Sequence, residues 1–237
     1  MSNSNPVVIV TGASQGIGAG LVAGYYKLGY NIVANSRTIG EIDDPRIHTV
    51  AGDISVARVG RSLVDAAVAR FGRVDTLINN AGVFIAKPFT EYTDDDFDAV
   101  TGVNLRGFFD VTRAAIAAME SQGHGGHVVN VSTTLVEHAL AKVPSALASL
   151  TKGGLTAVTK ALAIEYAARG IRANTVALGI IRTPMHPEQT HDLLDSLHPL
   201  GHMGDIDDVV DAVLYLEQAK FVTGEILHVD GGQNAGH

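Results

Sequence analysis

The sequence predicts an α/β protein, a parallel doubly wound sheet with helices on both faces, and three observations carry that prediction. Short β-branched runs alternate with longer stretches of helical periodicity from end to end. Most of these runs are apolar throughout rather than alternating, as strands covered on both faces should be. A glycine-rich turn joins the first strand to the first helix.

Taken in order, "PVVIV" (6–10) opens the sheet and runs through the glycine turn into a helix over 16–28. "NIVAN" (31–35) is the second strand and "IHTVAGD" (47–53) the third; only "SRTIGEIDDPR" lies between them, too little for a three-turn helix, so a loop or single turn is expected. A helix over 57–71 leads to "VDTLIN" (74–79), one over 94–120 to "GHVVNVS" (126–132), and one over 147–169 to "IRANTVAL" (171–178). The last helix, 205–218, is "DIDDVVDAVLYLEQ": acidic residues suit the positive end of its dipole, and apolar positions recur every three or four. It leads to "EILHVDG" (225–231), which makes seven strands. No linker-like shift or internal repeat interrupts the pattern, so 1–237 reads as one domain. Right-handed crossovers then put the strand C-termini, and any ligand site, along one edge.

Composition narrows the function classes. A net charge of −8 with no long basic run argues against nucleic acid or a membrane surface as partner. With no cysteine there is no disulfide, thiolate metal site or cysteine nucleophile. "MSNSNPVVIVTG" lacks the basic start and long apolar core of a signal peptide, and no apolar run approaches the ~18 residues that span a bilayer. A cytoplasmic protein is expected.

The chemistry starts at "VVIVTGASQGIGAGLV", where Thr11-Gly12, Gly16 and Gly18 follow a strand and open a helix. Such glycines let the backbone turn sharply and approach a pyrophosphate held on the free N–H groups of the helix start. A tight strand–helix connection is the plainer alternative, but the place in a βαβ series favours a nucleotide. With "NNAG" (79–82), "VNLRGFF" (103–109), "VVNVST" (128–133) and "HVDGG" (228–232), the chain resembles the short-chain dehydrogenases/reductases over essentially its whole length. That resemblance implies a single Rossmann domain of seven parallel strands, assembled as a homodimer or homotetramer. It also implies reversible hydride transfer between NAD(P) and a small-molecule alcohol or carbonyl.

The resemblance further implies that Gly12, Ser14, Gly16, Ile17 and Gly18 line the pyrophosphate, that Asp53 and Ile54 meet the adenine, and that Asn80, Ala81 and Gly82 lie on the adenosine ribose side. Ile181 and Thr183 in "GIIRTPM" would hold the nicotinamide carboxamide, although Leu178-Gly179 stands where the family usually has Pro-Gly; a simple cap before Pro184 is the alternative for Thr183. The second strand ends in Asn35-Ser36-Arg37-Thr38 without a carboxylate. Arg37 offers a fork of donors to a 2′-phosphate, with hydroxyls from Ser36 and Thr38, which favours NADP(H) over NAD. Arg37 stacked on adenine or facing solvent is the competing reading.

In the family an asparagine matching Asn104 holds a water relay, a serine after the fifth strand polarises the substrate oxygen, and a tyrosine exchanges the proton. A lysine four positions later binds the nicotinamide ribose and lowers the tyrosine's pKa. Lys152 matches the lysine, but counting back four reaches Ala148, and the chain's tyrosines at 25, 26, 30, 92, 166 and 215 do not replace it. Thr133 falls where the serine most often sits, with Ser132 one step earlier. His138 is the candidate substitute acid, since imidazole titrates near neutrality; Lys142 and Ser145 are weaker, and a packing role for His138 is the alternative. An oxidoreductase of altered acid–base chemistry is thus the leading expectation, and a weak or inactive dinucleotide-binding protein the second. Residues 184–204 match the family's mobile lid; their histidines at 186, 191, 198 and 202 fit no zinc spacing, and a solvent-facing lid with no metal is expected. The helices over 94–120 and 147–169 correspond to the family's dimer contact.

Overall fold

Seven parallel strands make one sheet in the order β3-β2-β1-β4-β5-β6-β7. The structure, a computed structural model, describes residues 5–236. The strands are β1 (Val7–Thr11), β2 (Asn31–Ser36), β3 (Ile47–Ala51), β4 (Thr76–Asn79), β5 (Gly126–Thr133), β6 (Ile171–Leu178) and β7 (Ile226–Val229). The strand order turns back between β1 and β4, so the chain leaves these neighbours in opposite directions and opens a crevice at their C-terminal ends.

Every residue of β1 is buried, which explains why its sequence is apolar without alternation. The faces still alternate in contact. Val7 and Ile9 pack with Leu63 of α2 (Ala57–Phe71) and with Val111 and Met119 of α4 (Phe108–Gln122). Val8 and Val10 pack on the other side with Leu21 of α1 (Gly16–Lys27) and Val213 of α7 (Ile206–Gln218). The segment from Arg37 to Arg46 is a loop, as its length predicts.

The helix expected over 94–120 is broken. α3 (Asp94–Thr101), started by a capping box between Thr93 and Asp96, passes into a π-helical stretch at Gly102–Gly107 before α4 begins. Gly107 lies against the loop after β3, where an added Cβ would meet Ile54 at 2.9 Å. The wide turn puts Asn104 opposite Val83, and such turns recur at functional sites. α5 (Ala146–Tyr166) follows β5, and the 184–204 segment contains a short 3₁₀ turn and α6 (His191–Asp195).

At the edge of the sheet away from the crevice, Glu217 of α7 is buried among donors that local sequence does not reveal. Its carboxylate accepts from Tyr25 (3.2 Å), Tyr30 (3.1 Å) and Thr76 (2.9 Å), and lies 2.9 Å from Nδ1 of His127. Asn174 fixes the tautomer: its Oδ1 accepts from Glu225 N–H, so its Nδ2 faces His127 Nε2 at 3.0 Å and donates to it. His127 is therefore neutral and donates from Nδ1 to Glu217; burial lowers its pKa, in agreement. Burial works to raise the Glu217 pKa, but the His127 hydrogen bond, the Lys220 charge and the Thr76 hydroxyl together hold it well below the ordinary carboxylate range.

Candidate active site

A cleft of about 450 Å³ runs along the C-terminal edge of the sheet, from the end of β2 across the glycine turn to β6. Its floor is stitched by β1 and β4. Thr11 Oγ1 accepts from the N–H groups of Asn80 (3.1 Å) and Ala81 (3.0 Å), and Asn80 Nδ2 donates to the carbonyls of Thr11 (2.9 Å) and Gly12 (3.2 Å). Gly18 is required by this packing, since a Cβ there would sit 2.1 Å from the Gly12 carbonyl oxygen. Gln15 precedes α1 and its side chain makes no capping bond, so the first N–H groups of that helix remain for a ligand. Gly12, Ser14, Gly16, Ile17 and Gly18 all line the cleft, as do Asn80, Ala81 and Gly82.

One end is formed by β2 and β3. Asn35 is buried and donates to the carbonyls of Val50 (2.9 Å) and Gly52 (3.1 Å), which fixes the exit of Ser36, Arg37 and Thr38 into the cleft. Asp53 and Ile54 face them. The Ser55 backbone N–H, then its hydroxyl, and more weakly the Arg37 charge hold the Asp53 carboxyl below its usual pKa.

The other end brings Lys152, Ala148, Ser132 and Thr133 together. Lys152 Nζ donates to the Val131 carbonyl at 2.7 Å, and burial lowers its pKa to about 8. A side chain at 82 would crowd that ammonium, for a Cβ there lies 3.0 Å from Nζ. Ser132 and Thr133 differ. The Ser132 hydroxyl is turned to α5, 3.3 Å from the Lys152 carbonyl oxygen and 3.4 Å from Thr156 Oγ1. Thr133 Oγ1 instead accepts from Leu135 N–H at 3.3 Å, which leaves its proton to be donated into the cleft. Ala148 is one helical turn before Lys152 and 2 % exposed.

Asn104 does not line the cleft. Its Oδ1 accepts from Val83 N–H (2.9 Å) and its Nδ2 donates to Val83 O (3.0 Å) and Thr151 Oγ1 (3.1 Å), so the carboxamide braces the cleft wall against α5. His138 is also outside the cleft lining; its backbone N–H bonds Thr134 O at 2.9 Å. The titratable side chain that does reach the cleft from the 184–204 segment is His186, beside Met185, and its pKa is lowered by burial and then by the charge of His191. Phe84, just past the NNAG run, is a further apolar lining residue that spacing alone did not single out.

Ile181 is buried and bridges to Gly204, while Thr183 and Pro184 lie over the glycine turn, within 4 Å of where a Cβ of Gly16 would be. The expectation of solvent-facing histidines in 184–204 fails at His198, which is 4 % exposed. Its Nε2 accepts from Ile180 N–H and its Nδ1 donates to Leu194 O, both at 3.0 Å, so it ties this segment to the end of β6. No group of His, Cys, Asp and Glu suited to a metal ion occurs among the described residues, and no helix among them is long and apolar enough to cross a membrane.

The chain and its fold are similar to proteins of known identity. The family described as enoyl-(acyl carrier protein) reductase matches residues 12–234. The 3beta-hydroxysteroid dehydrogenase 1 of Eggerthella lenta is 35% identical over 243 residues, covering 95% of this chain and 92% of that protein. ElxO with NADP bound superposes with a TM-score of 0.90 at 27% identity, covering 98% of this chain and 100% of the other. The 3-ketoacyl-(acyl-carrier-protein) reductase of Brucella melitensis, complexed with NADH, gives a TM-score of 0.88 at 33% identity over 97% of this chain and 98% of its own. Seven parallel strands in this order, the glycine turn at their crevice and these full-length similarities together place the chain in the short-chain dehydrogenase/reductase family of oxidoreductases.

Proposed function

We propose that this chain is an NADP(H)-dependent oxidoreductase that interconverts a small carbonyl compound and its alcohol with acid–base chemistry altered by alanine at 148. The observation that carries the reading is the continuity of one cleft from Arg37, past the uncapped start of α1, to Thr133 and Lys152. An extended dinucleotide suits such a cleft: its 2′-phosphate on Arg37, Ser36 and Thr38, its pyrophosphate on the turn at Gly12–Gly18, its carboxamide against Ile181 and Thr183. When bound, the nicotinamide supplies or accepts the hydride.

The protein's own contribution is positioning and polarisation. Thr133 donates to the substrate oxygen, Lys152 places positive charge beside it, and Gly82 and Asn104 keep the wall behind Lys152 in place. Residues 184–204 act as the lid, hinged at the end of β6 by His198 and presenting Met185 and His186 to the substrate space. His138, outside the cleft lining, is the weaker candidate for a proton donor. Exposed Phe109 on α4 and Leu150 on α5 suit a homodimer contact, which a homotetramer would repeat.

NADPH at a hundred times its Kd should stabilise the fold by about 2.7 kcal/mol. For a chain of this size that raises Tm by roughly 5–10 °C. Arg37→Ala should weaken NADPH roughly 10–100-fold, the value of one charged hydrogen-bonded contact, and leave NADH binding within about twofold. Calorimetric titration with both cofactors checks this; equal weakening of the two would remove the 2′-phosphate assignment. The second reading, a dinucleotide-binding protein with little turnover, shares the cofactor site and predicts the same stabilisation without consumption of NADPH.

A further inference from the structure

We propose that Lys152 itself delivers the proton to the substrate oxygen during carbonyl reduction. This rests on the oxidoreductase reading and replaces the side chain that the family interposes between this lysine and its substrate.

The geometry is that of a donor with capacity to spare. An ammonium has three N–H bonds. One is held by Val131 O at 2.7 Å, and no other protein acceptor for Nζ occurs among the described residues. A cofactor ribose takes at most part of what remains. Ala148 is a single turn earlier on the same helix and lines the same cleft, so only a methyl group stands where a phenol would separate Nζ from the reacting oxygen. Gly82 is the other side of this arrangement: without a side chain, it lets Nζ come to the cleft wall. The nearby hydroxyls are poor substitutes as acids at neutral pH, and Ser132 is engaged with α5. Thr133 polarises the oxygen, but its hydroxyl is too weak an acid to give up its proton near neutral pH.

Among the described residues four titratable groups line the cleft, and their positions separate their roles. Arg37 and Asp53 belong to the β2–β3 end, His186 comes from the lid, and Lys152 comes from α5 beside Thr133. Burial brings the Lys152 pKa down to about 8, which makes its ammonium a far better acid than an exposed lysine while leaving it largely protonated at pH 7. The step balances. The carbonyl carbon receives the hydride, the carbonyl π pair becomes a lone pair on oxygen, and that oxygen takes a proton from Nζ. The products are the alcohol, oxidised cofactor and a neutral amine, which regains its proton from solvent before the next turnover.

The test combines kinetics with a direct titration. In the natural chain, kcat for reduction at saturating NADPH should be level at lower pH and fall tenfold per unit above the Lys152 pKa. Lys152→Arg keeps a donor to Val131 O but cannot release its proton. It should bind NADPH within about threefold of the natural chain, lose roughly 10²–10⁴ in kcat and lose the alkaline fall. His186→Gln should keep that fall. NMR titration of the lysine Nζ signals, with Lys152 assigned by its loss in Lys152→Arg or Lys152→Met, should show one lysine titrating well below 10 in the cofactor-free protein. This second measurement stands even if a variant turns over too slowly to assay. The proposal is overturned if Lys152→Arg keeps kcat within about fivefold, if the alkaline fall survives it, if His186→Gln abolishes the fall instead, or if Lys152 titrates like an exposed lysine. A chain that binds NADPH and reduces no carbonyl overturns the oxidoreductase reading itself, and this proposal with it.

Discussion

Ala148→Tyr should raise kcat for carbonyl reduction by roughly tenfold, short of the ~10²–10⁴ of a general acid introduced where none acts, because on our proposal Lys152 already supplies the proton. The new phenol would stand four residues before Lys152 on the same face of α5, where the ammonium favours the phenolate and so makes the phenol a better acid. Thr133 and Ala148 line the same cleft, and the Thr133 hydroxyl accepts from Leu135 N–H. The gain belongs to the chemical step, so KM for the carbonyl should change far less than kcat. The pH profile should change with it, because the phenol then stands between Lys152 and the substrate. Steady-state kinetics of both chains on the same substrate decide the matter. Equal kcat values would mean that a phenol at 148 is not what limits this site.

Glu217→Ala should destabilise the fold by about 3–5 kcal/mol, the cost of removing one member of a buried charged network. At roughly 2–4 °C per kcal/mol for a chain of this size, Tm falls by about 6–20 °C. Two tyrosine hydroxyls, Thr76 and His127 would each lose an acceptor in the interior. Glu217→Gln should cost less, since hydroxyls can rotate to accept from the amide. The sign of the pH dependence follows from the depressed folded-state pKa of Glu217. Its contribution is fully present above the unfolded carboxylate value near 4.5 and is lost as pH falls toward the lower folded value. Thermal unfolding between neutral and acid pH should therefore show the natural chain and Glu217→Ala converging at the acid end. NADPH affinity should remain within about threefold, because the network is at the sheet edge opposite the cleft.

The alternation of apolar runs and helical stretches made the sheet legible, and the glycine turn made its crevice legible, because both depend on neighbours in sequence. Arg37 could be read for the same reason: it follows directly from the end of β2. Ala148 acquired meaning only by counting from Lys152, since an alanine in a helix is otherwise unremarkable. The π-helical turn at Gly102–Gly107 was hidden inside a continuous helical pattern, because what holds it is Asn104 bonding Val83, far back in the chain. Glu217 was hidden for a related reason. An acidic residue on an amphipathic helix reads as solvent-facing, whereas its partner Tyr25 is 192 positions away. His198 looked like one of several lid histidines until its ring was found bonded to Ile180 and Leu194. His138 had the right chemistry and the right loop, yet it is His186 that enters the cleft lining.

The most direct measurement is NADPH oxidation by the natural chain, followed by nicotinamide absorbance, against a panel of small aldehydes, ketones, hydroxysteroid-type and oxoacyl substrates, with NADH run in parallel. An NADP(H)-dependent oxidoreductase should turn over at least one carbonyl, faster with NADPH than with NADH, and Lys152→Met should abolish or strongly slow that turnover. Saturable NADPH binding with no consumption of it by any carbonyl in the panel would instead make the protein a dinucleotide binder without reductase activity.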